Sequence, residues 1–214
     1  MRPRRNSEEV RQAVIDAASR IIDENGPLRF RIADLLERAG VSESVVYRHF
    51  TDRDRLINET LLTMFERDLA RTREATTEFL RSVDEIEPTP AALAAVMVDA
   101  LLPEEGQEAV RCTRALKIRL AVAALEYPDL RERLIPMLDE FDALGDAFFA
   151  HIEERLGARG WAVSLREMRY LLNGTKLAVI HDDLRADPVA TAVTRKDLLR
   201  LWTTILERFA GHDH

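Results

Sequence analysis

Cysteine is nearly absent from this sequence of 214 residues, in which Cys112 is the only one. A single cysteine excludes an internal disulfide framework and a metal site made of several cysteines. Long apolar runs are absent too, since the longest, 91–102, is interrupted by Asp99 and a membrane helix requires roughly 20 apolar residues. The basic N-terminus is not followed by an apolar run, so no secretory signal is predicted. We expect a cytoplasmic protein with no membrane partner.

Sequence signatures of catalysis are missing as well. There is no Gly-rich phosphate loop and no nucleophile elbow. Two short clusters suggest metal binding, His181-Asp182-Asp183 and the tail His212-Asp213-His214. Neither provides the three or four converging ligands that a metal site needs, because consecutive helix positions point in diverging directions. We predict that the protein is not an enzyme and has no metal or cofactor; a small helical metal-dependent enzyme is the alternative.

Alternation of apolar and polar residues, which is typical of strands, does not extend over any useful length. Apolar residues instead recur at helical spacing along most of the chain. The clearest break is at 85–90, where two prolines and an acidic run indicate a loop. We predict an all-α fold of nine helices. The fourth is expected to be a rod of roughly 28 residues that ends near Ser82, about 40 Å long at 1.5 Å per residue.

The segment 31–56 reads as two short helices joined by a tight turn. The first helix is expected at about 31–38, the turn at Ala39-Gly40-Val41, and the second helix at about 42–49. Glycine permits the positive φ that such a turn requires. An amphipathic helix that ends at Asn25-Gly26-Pro27 precedes both and completes a three-helix unit. The pattern predicts a helix-turn-helix whose second helix enters the major groove of DNA.

The distribution of charge agrees with a DNA-binding N-terminus. The formal net charge is −7, but residues 1–55 hold eleven arginines and ten acidic residues, a net charge of +1. Cationic side chains are therefore concentrated where phosphate contacts are needed. The acidic remainder disfavours the alternative of a non-specific DNA-binding or architectural protein, which depends on an extended cationic surface. We assign a DNA-binding domain to 1–55 and a helical domain to 56–214, connected by helix 4.

The segment 39–56 resembles the signature of the tetracycline-repressor (TetR) family of bacterial transcriptional regulators. That signature combines an Ala-Gly-Val-Ser turn, a recognition helix ending in Tyr-x-His-Phe, and a polar link followed by a basic residue and a leucine. The matching residues are Ala39, Gly40, Val41, Ser42, Tyr47, His49, Phe50, Arg53 and Leu56. The resemblance implies an N-terminal helix-turn-helix domain and a C-terminal helical domain for effector binding and dimerisation. It further implies a ligand-responsive repressor that binds a palindromic operator as a homodimer.

Two kinds of DNA contact are expected. The resemblance implies phosphate contacts by Tyr47, His49 and Arg53, and all three side chains carry hydrogen-bond donors. By spacing, Glu43 could accept from cytosine and Val45 could contact a thymine methyl group. The basic arm at 2–5 either enters the minor groove or is a solvated tail. The predicted DNA-binding residues are Arg4, Arg5, Ser42, Glu43, Ser44, Val45, Tyr47, Arg48, His49, Thr51 and Arg53.

The second domain is expected to bind a small-molecule effector, whose identity the sequence does not give, and a second copy of the chain. Polar residues within apolar helices and nearby aromatic residues are candidates for the pocket, although such residues also form ordinary cores. The predicted effector-binding residues are Met97, Cys112, Leu116, Phe141, Phe148, Asn173, Lys176 and His181. The apolar face of the last helix predicts a dimer interface or, alternatively, packing within the chain. Its residues are Leu198, Trp202, Ile205 and Phe209.

Overall fold

The structure is a computed structural model that describes residues 6–102, 107–156, 164–183 and 193–209. Within these ranges it contains nine α-helices, one single-turn 3-10 helix and no strand, which confirms the predicted all-α class. None of the described helices is long and apolar enough to cross a membrane. The α-helices are α1 Ser7–Asn25, α2 Ile32–Ala39, α3 Glu43–His49, α4 Arg53–Glu85, α5 Pro90–Leu101, α6 Gln107–Glu126, α7 Pro128–Leu156, α8 Leu165–Asp183 and α9 Arg195–Phe209; the 3-10 helix is Pro27–Arg29.

The chain divides into two compact units. So far as their residues are described, the first comprises Met1–Asp68 and Leu116–Leu134, and the second comprises Leu69–Ala115 and Ile135–His214. Helices α4, α6 and α7 therefore each contribute residues to both units. This division differs from the expected domains 1–55 and 56–214. Periodicity along a chain does not reveal that a later segment folds back onto the first helices.

Helix α1 begins with a capping box. The Asn6 side chain accepts a hydrogen bond from the Glu9 backbone amide at 2.7 Å, and the Glu9 carboxylate accepts one from the Asn6 amide at 3.0 Å. These bonds satisfy two backbone donors that a helix N-terminus otherwise leaves without partners. The helix then buries one continuous face, formed by Val14, Ile15, Ala17, Ala18, Ile21 and Ile22.

Helices α2 and α3 pack against α1. Leu35 of α2 and Val46 of α3 are fully buried, and the flanking rings of Phe30 and Phe50 are almost fully buried. Burying a side chain of this size contributes about 1.5–3 kcal/mol. Because helices of eight and seven residues are marginal in isolation, this packing is what holds α2 and α3 in place.

Helix α4 is longer than predicted. At its start the Asp52 side chain accepts a hydrogen bond from the Arg55 backbone amide at 2.7 Å. The helix continues for 33 residues to Glu85, past the end expected near Ser82. Val83 is fully buried in the core of the second unit, and the first helix-breaking residue, Pro88, lies beyond the end.

The segment Leu116–Leu134, from the second half of α6 to the first turns of α7, belongs to the first unit. The Arg119 guanidinium donates to the Ile22 carbonyl at the end of α1 over 3.5 Å, and the Tyr127 hydroxyl donates to Asp54 at 3.0 Å. The segment also has an apolar side within the unit, formed by Leu116, Leu120, Ala124, Leu130 and Leu134. The unit that carries α2 and α3 is therefore larger than a three-helix domain.

The core of the second unit contains the residues that were predicted to form the dimer interface. Helix α9 packs against α5, with Trp202 fully buried and Leu198 nearly so. Ile205 is partly buried against the same cluster. Burial hides Leu198 and Trp202 from a second copy and favours the alternative of packing within the chain, whereas an interface role for Ile205 stays a prediction. The fourth, Phe209, has a side chain that lies outside the described part of the structure.

Candidate nucleic-acid interface

The turn between α2 and α3 depends on Gly40, which has φ 65° and ψ 39°. Residues with a Cβ rarely adopt this left-handed conformation. The backbone amides of Gly40 and Val41 both donate to the Leu36 carbonyl, at 3.0 and 3.3 Å, and so close the end of α2. The turn fixes the direction in which α3 leaves α2.

Helix α3 turns a polar side to solvent. Val46 is fully buried and anchors the helix, while Val45 is half-buried rather than exposed. Ser42 occupies the N-cap position, but its hydroxyl lies 3.0 Å from the Ser44 hydroxyl and does not cap a backbone amide. The exposed residues that were predicted to contact DNA are Ser42, Glu43, Ser44, Tyr47, Arg48 and Thr51.

The end of α3 is held by an aromatic anchor. Phe50 is 2% exposed, and the Arg11 guanidinium of α1 lies over its ring, 5.6 Å from the centroid. His49 is half-buried, and its Nε2 atom has no hydrogen-bond partner among the described residues. Packing therefore sets the imidazole position, and because the Nε2 atom is buried, a phosphate contact through it requires the ring to turn.

Arg53, at the start of α4, is tied to the loop before α2. Its Nη2 atom donates to the carbonyls of Pro27 and Phe30, at 3.2 and 3.1 Å. The guanidinium also lies 5.9 Å from the centroid of the Phe30 ring. The side chain is 41% exposed, so it supports this loop and still presents part of its charge to solvent.

Two arginines that were not predicted to contact DNA lie beside this loop. Arg29 ends the 3-10 helix and Arg31 is the N-cap residue of α2, and both are exposed. No side chain caps α2, so its first backbone amides add to the positive charge there. In the sequence these residues are two ordinary basic residues, and only their position near Arg53 makes them candidates for phosphate contact.

Glu59 gathers arginines from three helices of the first unit. Arg11 of α1 lies 3.2 Å and Arg55 of α4 lies 3.4 Å from its carboxylate, and Arg133 of α7 donates to both oxygens. Burial raises the pKa of Glu59, but the Arg133 hydrogen bonds and the charges of all three arginines outweigh burial and hold the pKa below its ordinary value. A cavity of about 260 Å³ opens next to this cluster, and its lining includes Glu59, Arg133 and Asn58.

A second ion pair joins α6 to α4 in the same unit. Lys117 Nζ lies 3.7 Å from the carboxylate of Asp68, whose side chain is 5% exposed. Burial lowers the pKa of Lys117, and the charge of Asp68 opposes this without cancelling it. Neither cluster was predicted from the sequence, since the paired residues lie far apart in the chain.

Two of the predicted effector residues occupy cores of different units. Met97 is 1% exposed in the core of the second unit, whereas Leu116 is 4% exposed and belongs to the first unit. Both side chains therefore have a packing role in the structure. A ligand role for either residue stays a prediction.

The remaining described effector candidates lie in the second unit. The ring of Phe148 packs at a tilt against the ring of Phe79, with the centroids 4.5 Å apart. The Lys176 ammonium lies 5.2 Å from the Phe141 centroid, and Asn173 is exposed. Phe141 and Lys176 thus lie together in the structure, and a ligand role for either stays a prediction.

Several predicted positions cannot be compared with the structure. Arg4 and Arg5 lie outside the described residues, as do the side chains of Cys112 and His181. The described residues contain no group of three or more His, Cys, Asp or Glu side chains arranged to hold a metal ion.

Known proteins share the segment that carries this interface. Residues 14–60 match the model of bacterial regulatory proteins, tetR family. The HTH-type transcriptional regulator TtgR of Pseudomonas putida is 33% identical over 89 residues. These residues are 41% of this chain and 39% of TtgR, so the match spans about two fifths of that relative.

Solved structures of similar proteins share the fold over nearly the whole chain. A Mesorhizobium loti protein assigned to TetR-family transcriptional regulators has a TM-score of 0.64 and 17% identity, covering 95% of this chain and 96% of its own. The Bacillus subtilis transcriptional regulator FadR, solved in complex with stearoyl-CoA, has a TM-score of 0.55 and 18% identity, covering 90% and 97%. The helix-turn-helix in the structure lies within the matching segment, and the fold is shared with these solved structures. Residues 14–60 are therefore similar to the tetR family of bacterial regulatory proteins, and the chain shares its fold with the solved structures.

Proposed function

We propose that this protein is a ligand-responsive transcriptional regulator that acts in the cytoplasm, where it binds a palindromic operator as a homodimer and represses transcription. The observation that carries the proposal is the exposed polar side of α3, held by buried Val46 and Phe50 on a rigid turn. A helix presented in this way fits the major groove.

Phosphate and base contacts have separate roles in this proposal. Tyr47, His49 and Arg53 contact phosphates and set the position of the protein on the duplex. Glu43 and Val45 read base edges, and Arg48 reads guanine or adds a phosphate contact. Because Val45 is half-buried, it can contact a thymine methyl group only if the helix lies deep in the groove.

A homodimer in this proposal uses the outer faces of α8 and α9. Tyr170 and Leu177 of α8 are 62% and 61% exposed, and Leu201 of α9 is 47% exposed. Gly174 lies between the two α8 residues, and a Cβ there would meet no atom within 4 Å. Exposed apolar residues on two helices of the same unit form a surface suited to a symmetric contact with a second copy.

The effector is proposed to bind in the second unit and to act through α4. This helix begins beside the helix-turn-helix and contributes residues to both units. A coupling free energy of about 1–3 kcal/mol between the two sites would change operator affinity by about 5–150-fold. An operator complex that keeps its affinity across a broad panel of small molecules would remove support for this part of the proposal.

Selection of bound duplexes from a random DNA pool tests the proposed function. The expected product is one inverted repeat with half-site centres about 34–36 Å apart, as for other dimeric helix-turn-helix proteins. Tyr47→Ala should weaken binding to all sequences, whereas Val45→Ala should change the selected bases. A pool that stays random after repeated selection would contradict sequence-specific binding and favour the architectural alternative.

A further inference from the structure

Helix α6 carries an apolar stripe that the described part of the chain leaves uncovered. Ile118, Val122 and Leu125 are 37%, 54% and 81% exposed, and Ala121 is exposed as well. The four residues are spaced i, i+3, i+4 and i+7, so they share one side of the helix. We name them the α6 stripe. Contiguous exposed apolar surface of this kind marks an interaction site.

The α6 stripe has an internal two-fold pattern. Its midpoint lies between Ala121 and Val122, with Ile118 and Leu125 at equal distances on either side. In an antiparallel pair of α6 helices, each Ile118 faces the partner's Leu125 and each Val122 faces the partner's Val122. Ala121 is small enough to let the two helices approach closely. The stripe is therefore complementary to itself.

Charges beside the stripe favour the same arrangement. Helical spacing places Arg119 and Glu126 on the flank where Val122 lies. Glu126 is exposed and forms no ion pair with a described residue, and Arg119 donates one long hydrogen bond of 3.5 Å to the Ile22 carbonyl. In the antiparallel pair each Glu126 comes within about 3 Å, along the helix axis, of the partner's Arg119.

We infer that the α6 stripe binds the α6 stripe of a second copy of this chain, in an antiparallel pair. This contact uses other residues than the proposed α8 and α9 interface, and in the proposal it joins one homodimer to another. Four side chains cover much less than the roughly 800 Å² per partner of a standard interface. The pairing is therefore weak in solution and strengthens where neighbouring DNA sites hold two dimers close together.

Site-directed disulfide formation in the full-length chain tests this pairing. In a Cys112→Ser background, Val122→Cys should form cross-linked chains under mild oxidation, because the two positions are offset by only about 1.5 Å along the axis. Ile118→Cys alone should not, since its symmetry mate lies about 10 Å away along the axis, beyond the roughly 7 Å that a disulfide spans between Cα atoms. A mixture of Ile118→Cys and Leu125→Cys chains should give the mixed product.

Ile135→Cys is the matched control, since Ile135 is an exposed apolar residue of α7, 48% exposed, outside the stripe. The proposal is overturned if Val122→Cys cross-links no more than this control, or if Ile118→Cys cross-links to itself as readily as Val122→Cys. Native sizing of the cross-linked protein separates the two interfaces. A tetramer supports both contacts, and a dimer supports the α6 pair while contradicting the α8 and α9 interface.

Discussion

The carboxylate of Glu59 forms ion pairs with arginines from three helices of the first unit. Glu59→Gln keeps the side-chain shape but leaves Arg11, Arg55 and Arg133 without this counter-charge. We expect the free energy of unfolding at pH 7 to fall by about 1–3 kcal/mol, less than for a fully buried pair because the arginines are partly exposed. Urea denaturation measures this change in the free energy of unfolding. Glu24→Gln, which removes an exposed pair with Arg38, is the control and should leave the unfolding midpoint unchanged.

The pH dependence of stability gives an independent test of the same cluster. The pKa of Glu59 is lower in the folded chain than in the unfolded chain. Its stabilisation is therefore present above the ordinary Glu pKa of about 4.3 and is lost as pH falls through the lower folded-state pKa. The difference in unfolding free energy between the wild type and Glu59→Gln should shrink towards pH 3. A difference that stays constant with pH would contradict this assignment.

Gly40 and Gly145 should respond in opposite ways to the same substitution. Gly40 has a positive φ of 65°, and a Cβ there would meet no atom within 4 Å, so the cost of Gly40→Ala is purely conformational. We expect a loss of about 1 kcal/mol in stability. Gly145 lies inside α7, where an added Cβ makes ordinary contact with Arg169. Gly145→Ala should stabilise by about 0.5–1 kcal/mol. Thermal unfolding of both variants measures the contrast.

At the scale of elements, α9 has two apolar sides with different roles. Trp202 is fully buried, and neighbouring Leu201 is 47% exposed. Trp202→Ala should reduce the free energy of unfolding by about 3–5 kcal/mol because it removes a large core side chain. Leu201→Ala should change the unfolding free energy of the isolated chain very little. If chemical denaturation showed equal losses for both variants, the assignment of Trp202 to the core would be wrong.

Some features of the helices were predictable from the sequence and others were not. Residues close together in the chain determine the α2–α3 turn, so Gly40 and the bounds of both helices were predictable from local pattern. Which apolar side of α9 is covered depends instead on α5, a helix distant in sequence, and the prediction chose Trp202 where the exposed residue is Leu201. The end of α4 was placed too early for the same reason, since burial of Val83 depends on other helices.

At the scale of the whole molecule, the oligomeric state tests whether the exposed faces of α8 and α9 join two copies of the chain. Leu177→Arg combined with Leu201→Arg places charges on the proposed α8 and α9 interface, and both residues are exposed in the single chain. We expect a folded monomer with an unchanged helical circular dichroism spectrum. Analytical ultracentrifugation measures the mass, and Ile135→Arg is a matched control that should remain dimeric. A double variant that stays dimeric would show that another surface joins the copies.

The candidate site was predictable only in part at this scale. The resemblance to the TetR family implies phosphate contacts by Tyr47, His49 and Arg53, which stay predictions, but it does not reveal the bonds of Arg53 to Pro27 and Phe30. Nor does the sequence reveal that Arg133 and Lys117 connect the segment Leu116–Leu134 to the unit that carries the helix-turn-helix. Through-space pairs of this kind leave no periodic signal. The effector residues were the least predictable, because buried residues such as Met97 are equally typical of a core.

In the proposed function, exposed α3 reads one operator as part of a homodimer. Footprinting on the chromosomal region around the gene for this chain tests it most directly. We predict protection of one short inverted repeat, with two half-sites about one helical turn apart on the same face of the duplex, and uniform loss of this protection with Tyr47→Ala. Protection spread evenly along the fragment, or a footprint that Tyr47→Ala leaves unchanged, would contradict the account.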